Sequence, residues 1–195
     1  MMPRASWWIG LVVAALCGCE RRQPAAAPSA VRTEGESLRI SYVRAPRIVI
    51  EAEDGVVTAP MAVFEDAHCG GGKYVLAPEG PDHKEISIGG DVAHRIKIDE
   101  AGEYSLWFRV RFSGPCGNSL GVFLDGEEVG TVEDAVFDQW HWVPLQGRRI
   151  TLSAGEHQLV VANREDGAAC DQIALTTDPD WRPVAIEVAA GGSGR

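Results

Sequence analysis

Apolar and polar residues alternate in short segments from residue 47 to residue 176. The clearest segment runs from Tyr104 to Phe112, in which Tyr, Leu, Phe, Val and Phe occupy every second position. Because successive side chains of a strand point to opposite faces, this pattern predicts a strand with one buried face. The same alternation predicts strands at 47–53, 57–65, 73–76, 92–98, 120–124, 140–145, 149–152, 157–163 and 171–176.

Turn-forming residues separate these segments, and none of the segments shows the spacing of an amphipathic helix. The turn dipeptides are Asp54-Gly55, Gly89-Gly90, Ala101-Gly102, Asp125-Gly126 and Ala154-Gly155. A series of short strands without intervening helices predicts an all-β fold, an antiparallel β-sandwich. We place this domain at 47–183 and expect the glycine-rich residues 184–195 to form a loose C-terminal tail.

The first 46 residues have a different composition from the rest of the chain. Arg4 precedes an apolar segment at 6–16, as in a secretory signal peptide. The sequence Leu16-Cys17-Gly18-Cys19 resembles the lipobox of bacterial lipoproteins, which predicts a signal peptide at 1–18 and lipidation of Cys19. Residues 19–46, rich in Ala, Pro, Ser and Arg, are typical of a flexible tether. The alternatives are an ordinary signal peptide with incidental cysteines and a short uncleaved anchor.

The charge of the chain is unevenly distributed. It carries 18 Lys and Arg against 28 Asp and Glu, a net charge of −10. Residues 1–45 hold six Arg and three Glu, which leaves 12 basic and 25 acidic residues in 46–195, a net charge of −13. Because phosphate binding requires positive charge, this balance argues against a nucleic-acid partner. The signal predicts an exported protein that contacts the membrane only through its lipid, at the outer membrane or the cell surface.

Three acidic residues suggest a metal site. Glu51 and Glu53 lie two residues apart in the first predicted strand, so their carboxylates are expected on one face. Asp171 opens the last predicted strand, and the first and last strands of a sandwich commonly pair. Three carboxylates with backbone carbonyls would make an all-oxygen site suited to Ca²⁺. The alternative is a solvated strand face with two ordinary glutamates.

Eight short motifs follow one another along the domain. They are Ile50-Glu51-Ala52-Glu53, Gly70-Gly71-Gly72-Lys73-Tyr74-Val75, Ala101-Gly102-Glu103-Tyr104-Ser105-Leu106, Gly117-Asn118-Ser119, Leu124-Asp125-Gly126, Trp140-His141-Trp142-Val143, Leu152-Ser153-Ala154-Gly155-Glu156-His157 and Asp171-Gln172-Ile173-Ala174-Leu175. In this order the chain resembles carbohydrate-binding modules of families six and thirty-five. The resemblance implies a jelly-roll sandwich of the galactose-binding-like type. It also implies a structural Ca²⁺ held by Glu51, Glu53 and Asp171, with a backbone carbonyl from 70–72.

The resemblance further implies where a glycan would bind. Aromatic rings that stack on sugar rings are the usual basis of such sites. Tyr74 and either Trp140 or Trp142 would form an aromatic sandwich at the loop end of the fold, with Asn118 on the same rim. The other tryptophan of the pair is expected in the core, because tryptophan is usually well buried.

One position departs from the families. An asparagine that hydrogen-bonds the sugar commonly stands where this chain has Ala169, so that polar contact is missing. Asn163, Arg164 and Asp166 lie close by in sequence and are candidates to replace it. Trp107, which shares the face opposite the core with Arg109 and Arg111 of the same strand, is a second candidate surface. Its alternative role is in a second buried sheet face.

Three cysteines remain once the signal peptide and the lipidated residue are set aside. In an exported protein, Cys69, Cys116 and Cys170 are expected to form one disulfide and leave one thiol. The sequence does not choose the pair, and we favour Cys116 with Cys170. A structural zinc site formed by His68 and the three thiolates is the alternative, but no C-x-x-C spacing supports it.

No catalytic motif accompanies these features. The chain has no G-x-S-x-G elbow, no H-E-x-x-H and no phosphate-binding loop. We therefore expect no enzymatic activity but a membrane-anchored module that binds a polysaccharide or another glycan and contains a structural Ca²⁺. The alternative is a lipoprotein that uses the same scaffold to bind envelope proteins, with sugar binding lost.

Overall fold

The computed structural model describes residues 47–79 and 89–187. The predicted signal peptide 1–18, the lipidated Cys19, the tether 19–46 and the end of the tail at 188–195 lie outside the described residues. Within the described ranges, no helix has the length and apolar character needed to cross a membrane.

Strands dominate the described part of the chain. They are β1 (Arg47–Glu51), β2 (Val56–Thr58), β3 (Ala62–Glu65), β4 (Lys73–Leu76), β5 (Asp91–Ile98), β6 (Gly102–Phe112), β7 (Ser119–Leu124), β8 (Glu127–Glu133), β9 (His141–Leu152), β10 (Gly155–Asn163) and β11 (Ala168–Thr176). Short 3-10 turns occupy Ala52–Asp54 and Gly70–Gly72. The all-β prediction is confirmed.

The strands form two antiparallel sheets. One has the order β3-β4-β11-β6-β9, with β1 also paired to β11, and the other has the order β2-β5-β10-β7-β8. β4 pairs with residues 169–170 of β11, and β1 pairs with residues 172–176 of the same strand. The first and last strands are therefore neighbours, as expected, and the end of β1 lies beside the middle of β11.

The core lies between the two sheets. The alternating apolar residues of β6 are almost completely buried, as the pattern predicts; they are Tyr104, Leu106, Phe108, Val110 and Phe112. They pack against residues of β5, β7 and β10 in one continuous apolar cluster. Burial of such large side chains is the main stabilising term of the fold, at about 25 cal/mol per Å² of apolar surface.

The last described residues, 178–187, form a segment that lies on β11 and β9, and we call it the C-terminal segment. The Gln172 amide receives a hydrogen bond from the backbone N–H of Glu187 (2.9 Å) and donates one to its carbonyl (2.8 Å). The indole N–H of Trp142 donates to the carbonyl of Ala185 (2.8 Å). Arg47 forms an ion pair with Glu187 (3.2 Å). Residues 184–187, assigned to the loose tail from the sequence, are thus attached to the sheet.

Candidate functional site

Two of the three predicted metal ligands lie against glycines that have no side chain to displace them. Glu51 ends β1, and Glu53 belongs to the following 3-10 turn rather than to the strand. A Cβ atom at Gly70 would collide with the Glu51 carboxylate, and one at Gly71 would lie 2.7 Å from Glu53 Oε1. Gly71 also has a positive φ of 60°, which favours glycine. The Gly70–Gly72 turn therefore provides the space in which both carboxylates lie.

These two carboxylates are incompletely satisfied. Gln172 Nε2 donates to Glu51 Oε1 (2.8 Å), but Glu51 Oε2 and Glu53 Oε2 are buried without a hydrogen-bond partner. Burial, followed by the nearby Glu51 and Asp171 carboxylates as further causes, raises the pKa of Glu53 to about 7. Burial also raises the pKa of Glu51. Oxygen atoms of this kind, buried and acidic, fit a hard cation such as Ca²⁺.

Asp171, the third predicted ligand, is occupied by protein partners. Its Oδ1 accepts a hydrogen bond from the Gly70 backbone N–H (2.9 Å), and its Oδ2 accepts one from Arg109. Asp171 is completely buried and the Arg109 side chain nearly so. No group of three His, Cys, Asp or Glu side chains within 47–79 and 89–187 is arranged to hold a metal ion. Of the three predicted ligands, only Glu51 and Glu53 thus have carboxylate oxygens without a hydrogen-bond partner.

An aromatic cluster lies next to the acids. Phe64 stacks on Tyr74 with ring centroids 5.7 Å apart, and Tyr74 meets Trp140 edge to face at 5.3 Å. Tyr74 is 8% exposed, whereas Trp140 is half-buried. The structure thus brings Tyr74 together with Trp140, one of the two tryptophans proposed from the sequence. The two rings are in contact, so no slot for a sugar ring lies between them.

Two arginines of β6 surround Trp140. The Arg109 guanidinium lies 5.4 Å from the Trp140 ring, and that of Arg111 lies 5.1 Å from Trp140 and 5.3 Å from Tyr74. The Trp140 indole N–H donates to Asp66 Oδ2 (3.0 Å), which lies 3.7 Å from Arg111. Hydrogen bonds, first from the His68 backbone N–H and then from Trp140, lower the pKa of Asp66 to about 2. Trp140 is therefore held in place on its edge and on its faces.

A cavity of about 320 Å³ opens beside this cluster. Its lining residues are Leu76, Pro78, Glu79, Arg111, Ser113, Asp138, Gly167 and Ala169. Ala169, at the position where the resemblance predicts an asparagine, lines the cavity with a small apolar side chain. Apolar, cationic and anionic groups thus surround a volume at the lower end of the roughly 300–1,000 Å³ typical of small-ligand pockets.

The remaining predicted ligand residues lie elsewhere. Asn118 donates to the Asp134 carbonyl (2.9 Å), Asn163 to the Gly89 carbonyl (3.0 Å) and Arg164 to the Ser119 hydroxyl (3.1 Å). None of the three lines the cavity. Trp142 is half-buried and does not form the aromatic pair with Tyr74. Its indole N–H donates to the C-terminal segment. The predicted surface formed by Trp107, Arg109 and Arg111 is not found, because the guanidinium groups of both arginines lie over the Trp140 ring.

The three cysteines of the described part are free thiols. The favoured Cys116–Cys170 bond is absent, because Cys170 is buried in β11 and Cys116 is exposed in the loop before β7. Cys69 is buried beside Asp171 and Asp66, and burial raises the pKa of its thiol to about 12. No group of three His, Cys, Asp or Glu side chains among the described residues is arranged to hold a metal ion, which disfavours the zinc alternative.

Several residues of the site escape sequence analysis. Asp66, Glu79 and Phe64 belong to no motif, and they are brought to Tyr74 and Arg111 only by the pairing of strands. The alternation in β6 assigns Arg109 and Arg111 to the outer face, but it does not show that the C-terminal segment and Trp140 cover that face.

Neither a known protein family nor a curated protein matches the sequence. Solved structures match its fold. A family 35 carbohydrate-binding module from Clostridium thermocellum aligns with a TM-score of 0.52 and 19% identity, over 67% of this chain and 98% of the module. A family 6 module of Cellvibrio mixtus lichenase 5A, in complex with cellotriose, aligns with a TM-score of 0.51 and 24% identity, over 67% of this chain and 96% of the module.

Enzymes match over a smaller part of their length. The Podospora anserina GH26-CBM35 β-(1,4)-mannanase aligns with a TM-score of 0.56 and 21% identity, over 72% of this chain but only 29% of the enzyme. The chain therefore has the β-sandwich fold of carbohydrate-binding modules. It matches separate modules over nearly their whole length and a multidomain enzyme over less than a third.

Proposed function

We propose that this protein is a non-catalytic, lipid-anchored module that binds a glycan in the cavity beside Trp140. The observation that carries the proposal is the cavity itself, in which apolar, cationic and anionic groups meet next to a half-buried indole on a carbohydrate-binding-module fold. Arg111 supplies donors to hydroxyl oxygens, and Glu79 and Asp138 supply acceptors. Leu76 and Ala169 offer an apolar surface to the C–H groups of a sugar ring.

Ca²⁺ is the second part of the proposal. The buried, unpartnered oxygens of Glu51 and Glu53 would hold the ion, and its charge would offset their mutual repulsion. Asp171, whose charge Arg109 already neutralises, would contribute mainly through the electrostatic field. The ion would brace the end of β1 against the glycine turn that precedes β4, and β4 carries Tyr74 of the aromatic cluster.

Loss of binding in cavity variants tests the glycan proposal. We expect the full-length protein to be retarded in affinity gels by at least one neutral plant or microbial polysaccharide. Arg111→Met and Trp140→Ala should weaken this binding about tenfold or more, because the first removes a donor that lines the cavity and the second removes the ring against which the Arg111 guanidinium lies. Arg95→Met, which removes an exposed arginine of β5 in the other sheet, is the matched control and should bind normally. No retardation by any polysaccharide would refute the proposal.

The contact between Tyr74 and Trp140 is the observation that favours the alternative, an envelope lipoprotein that binds proteins. The related families are expected to place a sugar between two aromatic residues, and here the two rings touch. If the cavity variants lose envelope proteins in pull-downs regardless of added sugars, while the polysaccharide gels show no retardation, this alternative replaces the first proposal.

The lipid anchor follows from the lipobox-like sequence and can be tested independently. We expect the full-length protein expressed in a bacterium to incorporate labelled fatty acid and to partition into the detergent phase. Cys19→Ser should abolish both, because two or more acyl chains are required for stable anchoring. Cys17→Ser is the matched control and should retain both. Labelling that survives Cys19→Ser would disprove the assignment of the lipidated residue.

A further inference from the structure

A second cavity, of about 280 Å³, lies on the outer face of β6 and β9, apart from the one described above. Its lining residues are Ser105, Leu106, Trp107, Pro144, Leu145, Gly147, Arg148, Arg149, Pro179 and Arg182. We call it the arginine groove. It shares no lining residue with the cavity beside Trp140. It combines strand residues, the bend inside β9 and the C-terminal segment.

The groove has a charge opposite to that of the domain. Three of its lining residues are arginines and none is acidic, although residues 46–195 carry a net charge of −13. Arg149 donates to the carbonyls of Glu103 (2.6 Å) and Thr177 (2.7 Å), which fixes its position. Arg148 is exposed and contacts no acidic group among the described residues. The groove thus holds positive charge that the protein does not itself neutralise.

Trp107 adds an aromatic ring to the lining of the groove. Its indole Nε1 is buried and has no hydrogen-bond partner among the described residues. The ring is held by Trp181, edge to face at 6.4 Å, and by the Arg182 guanidinium at 5.4 Å. The ring of Trp107, rather than its buried N–H, therefore lines the groove.

We propose that the arginine groove binds an acidic saccharide, a sugar unit that carries a carboxylate or a sulfate group. Guanidinium groups recognise such anions in a fork geometry. Pro144 and Pro179 supply apolar surface suited to the C–H groups of the sugar. The volume suits one sugar unit. A long polyanion or an anionic bilayer is disfavoured, because the surrounding acidic surface repels it. This proposal does not rest on the glycan site beside Trp140.

The test uses the full-length protein and nuclear magnetic resonance of its tryptophan indole N–H groups. The probes are glucuronate, galacturonate and glucose 6-sulfate, each compared with glucose and galactose. We expect the acidic sugars to bind at least about tenfold more tightly than the neutral ones and to shift the Trp107 indole signal, which Trp107→Phe assigns. Binding should weaken as NaCl is added, because exposed charges are screened.

Variants locate the site. Arg148→Gln and Arg182→Gln should each weaken binding of glucuronate about tenfold, because each removes a charge-assisted contact. Arg148 makes no contact that the fold needs, so its variant should melt as the parent protein does. Arg95→Gln, in the other sheet, is the matched control. Arg111→Met and Trp140→Ala should also leave glucuronate binding unchanged, which separates this site from the proposed glycan cavity.

Four results would overturn the proposal. They are equal affinity for acidic and neutral sugars, binding of sodium sulfate as tight as that of glucuronate, unchanged affinity in Arg148→Gln, and a shift produced by anionic phospholipid vesicles but by no soluble sugar. The second would show a general anion site, and the last would show a membrane contact.

Discussion

Replacing Arg109 by methionine should lower the free energy of unfolding by about 3–5 kcal/mol, because it leaves a buried carboxylate unpaired. Arg109 is the cationic partner of Asp171, whose side chain is 0% exposed. Asp171 would keep hydrogen bonds from the Gly70 backbone N–H and the Cys69 thiol, neither of which carries a positive charge. Chemical denaturation followed by tryptophan fluorescence measures the change.

Arg111→Met is the matched control for this experiment. Arg111 lies next but one in the same strand, and its side chain is 35% exposed and 3.7 Å from Asp66. Exposed ion pairs of this kind contribute about 1 kcal/mol or less. If the two variants lost the same stability, Arg109 would not be the residue that neutralises the buried aspartate.

Calcium should raise the melting temperature of the wild-type protein by roughly 8 °C at a concentration one hundred times its dissociation constant. Binding to the native state alone contributes about 2.7 kcal/mol under that condition. Each kcal/mol corresponds to about 3 °C for a domain of this size. Differential scanning calorimetry in CaCl₂ and in chelator measures the shift.

Glu53→Gln should remove most of this increase, because it deletes one of the two unpartnered carboxylates. In chelator the same variant should melt no lower than the wild type, since the glutamine relieves repulsion from Glu51. Glu65→Gln, an exposed glutamate at the end of β3, is the control and should respond to calcium normally. Equal melting temperatures of the wild-type protein in calcium and in chelator would refute the proposed calcium site.

The strand content of the fold could be predicted because its pattern is local. In β6 every second residue is apolar and buried, so the sequence contains the information directly. The Asp125-Gly126 turn is equally local, because both residues have positive φ, as a two-residue hairpin requires. The polar segment of β8, Glu127–Glu133, was not predicted. It is an edge strand, and only its pairing with β7 forms it.

Other boundaries depend on distant partners. Residues 140–145 and 149–152 were predicted as separate strands because Gln146, Gly147 and Arg148 interrupt the alternation. β9 nevertheless continues through them, since β6 pairs with both halves across a bulge. The predicted segment 57–65 is instead two strands, separated by a turn that contains the cis bond between Ala59 and Pro60.

The candidate site was predictable only in part for the same reason. The Glu51-x-Glu53 spacing and the glycine turn are motifs, and the structure places them side by side. The partner of Asp171 was not predictable, because Arg109 is 62 residues away in sequence and alternation assigns it only to a sheet face. The choice between Trp140 and Trp142 likewise depends on the C-terminal segment, which binds Trp142.

The two hydrogen bonds between the Gln172 amide and the backbone of residue 187 have an evolutionary consequence. The Gln172 amide bonds to the backbone of residue 187 and not to its side chain, so a change of the residue at 187 should cost little more than the partly buried ion pair with Arg47. Deletion of that position is different, because a fully interior carboxamide would then have to find new neighbours. Length, rather than sequence, should be the constrained property of this end of the polypeptide.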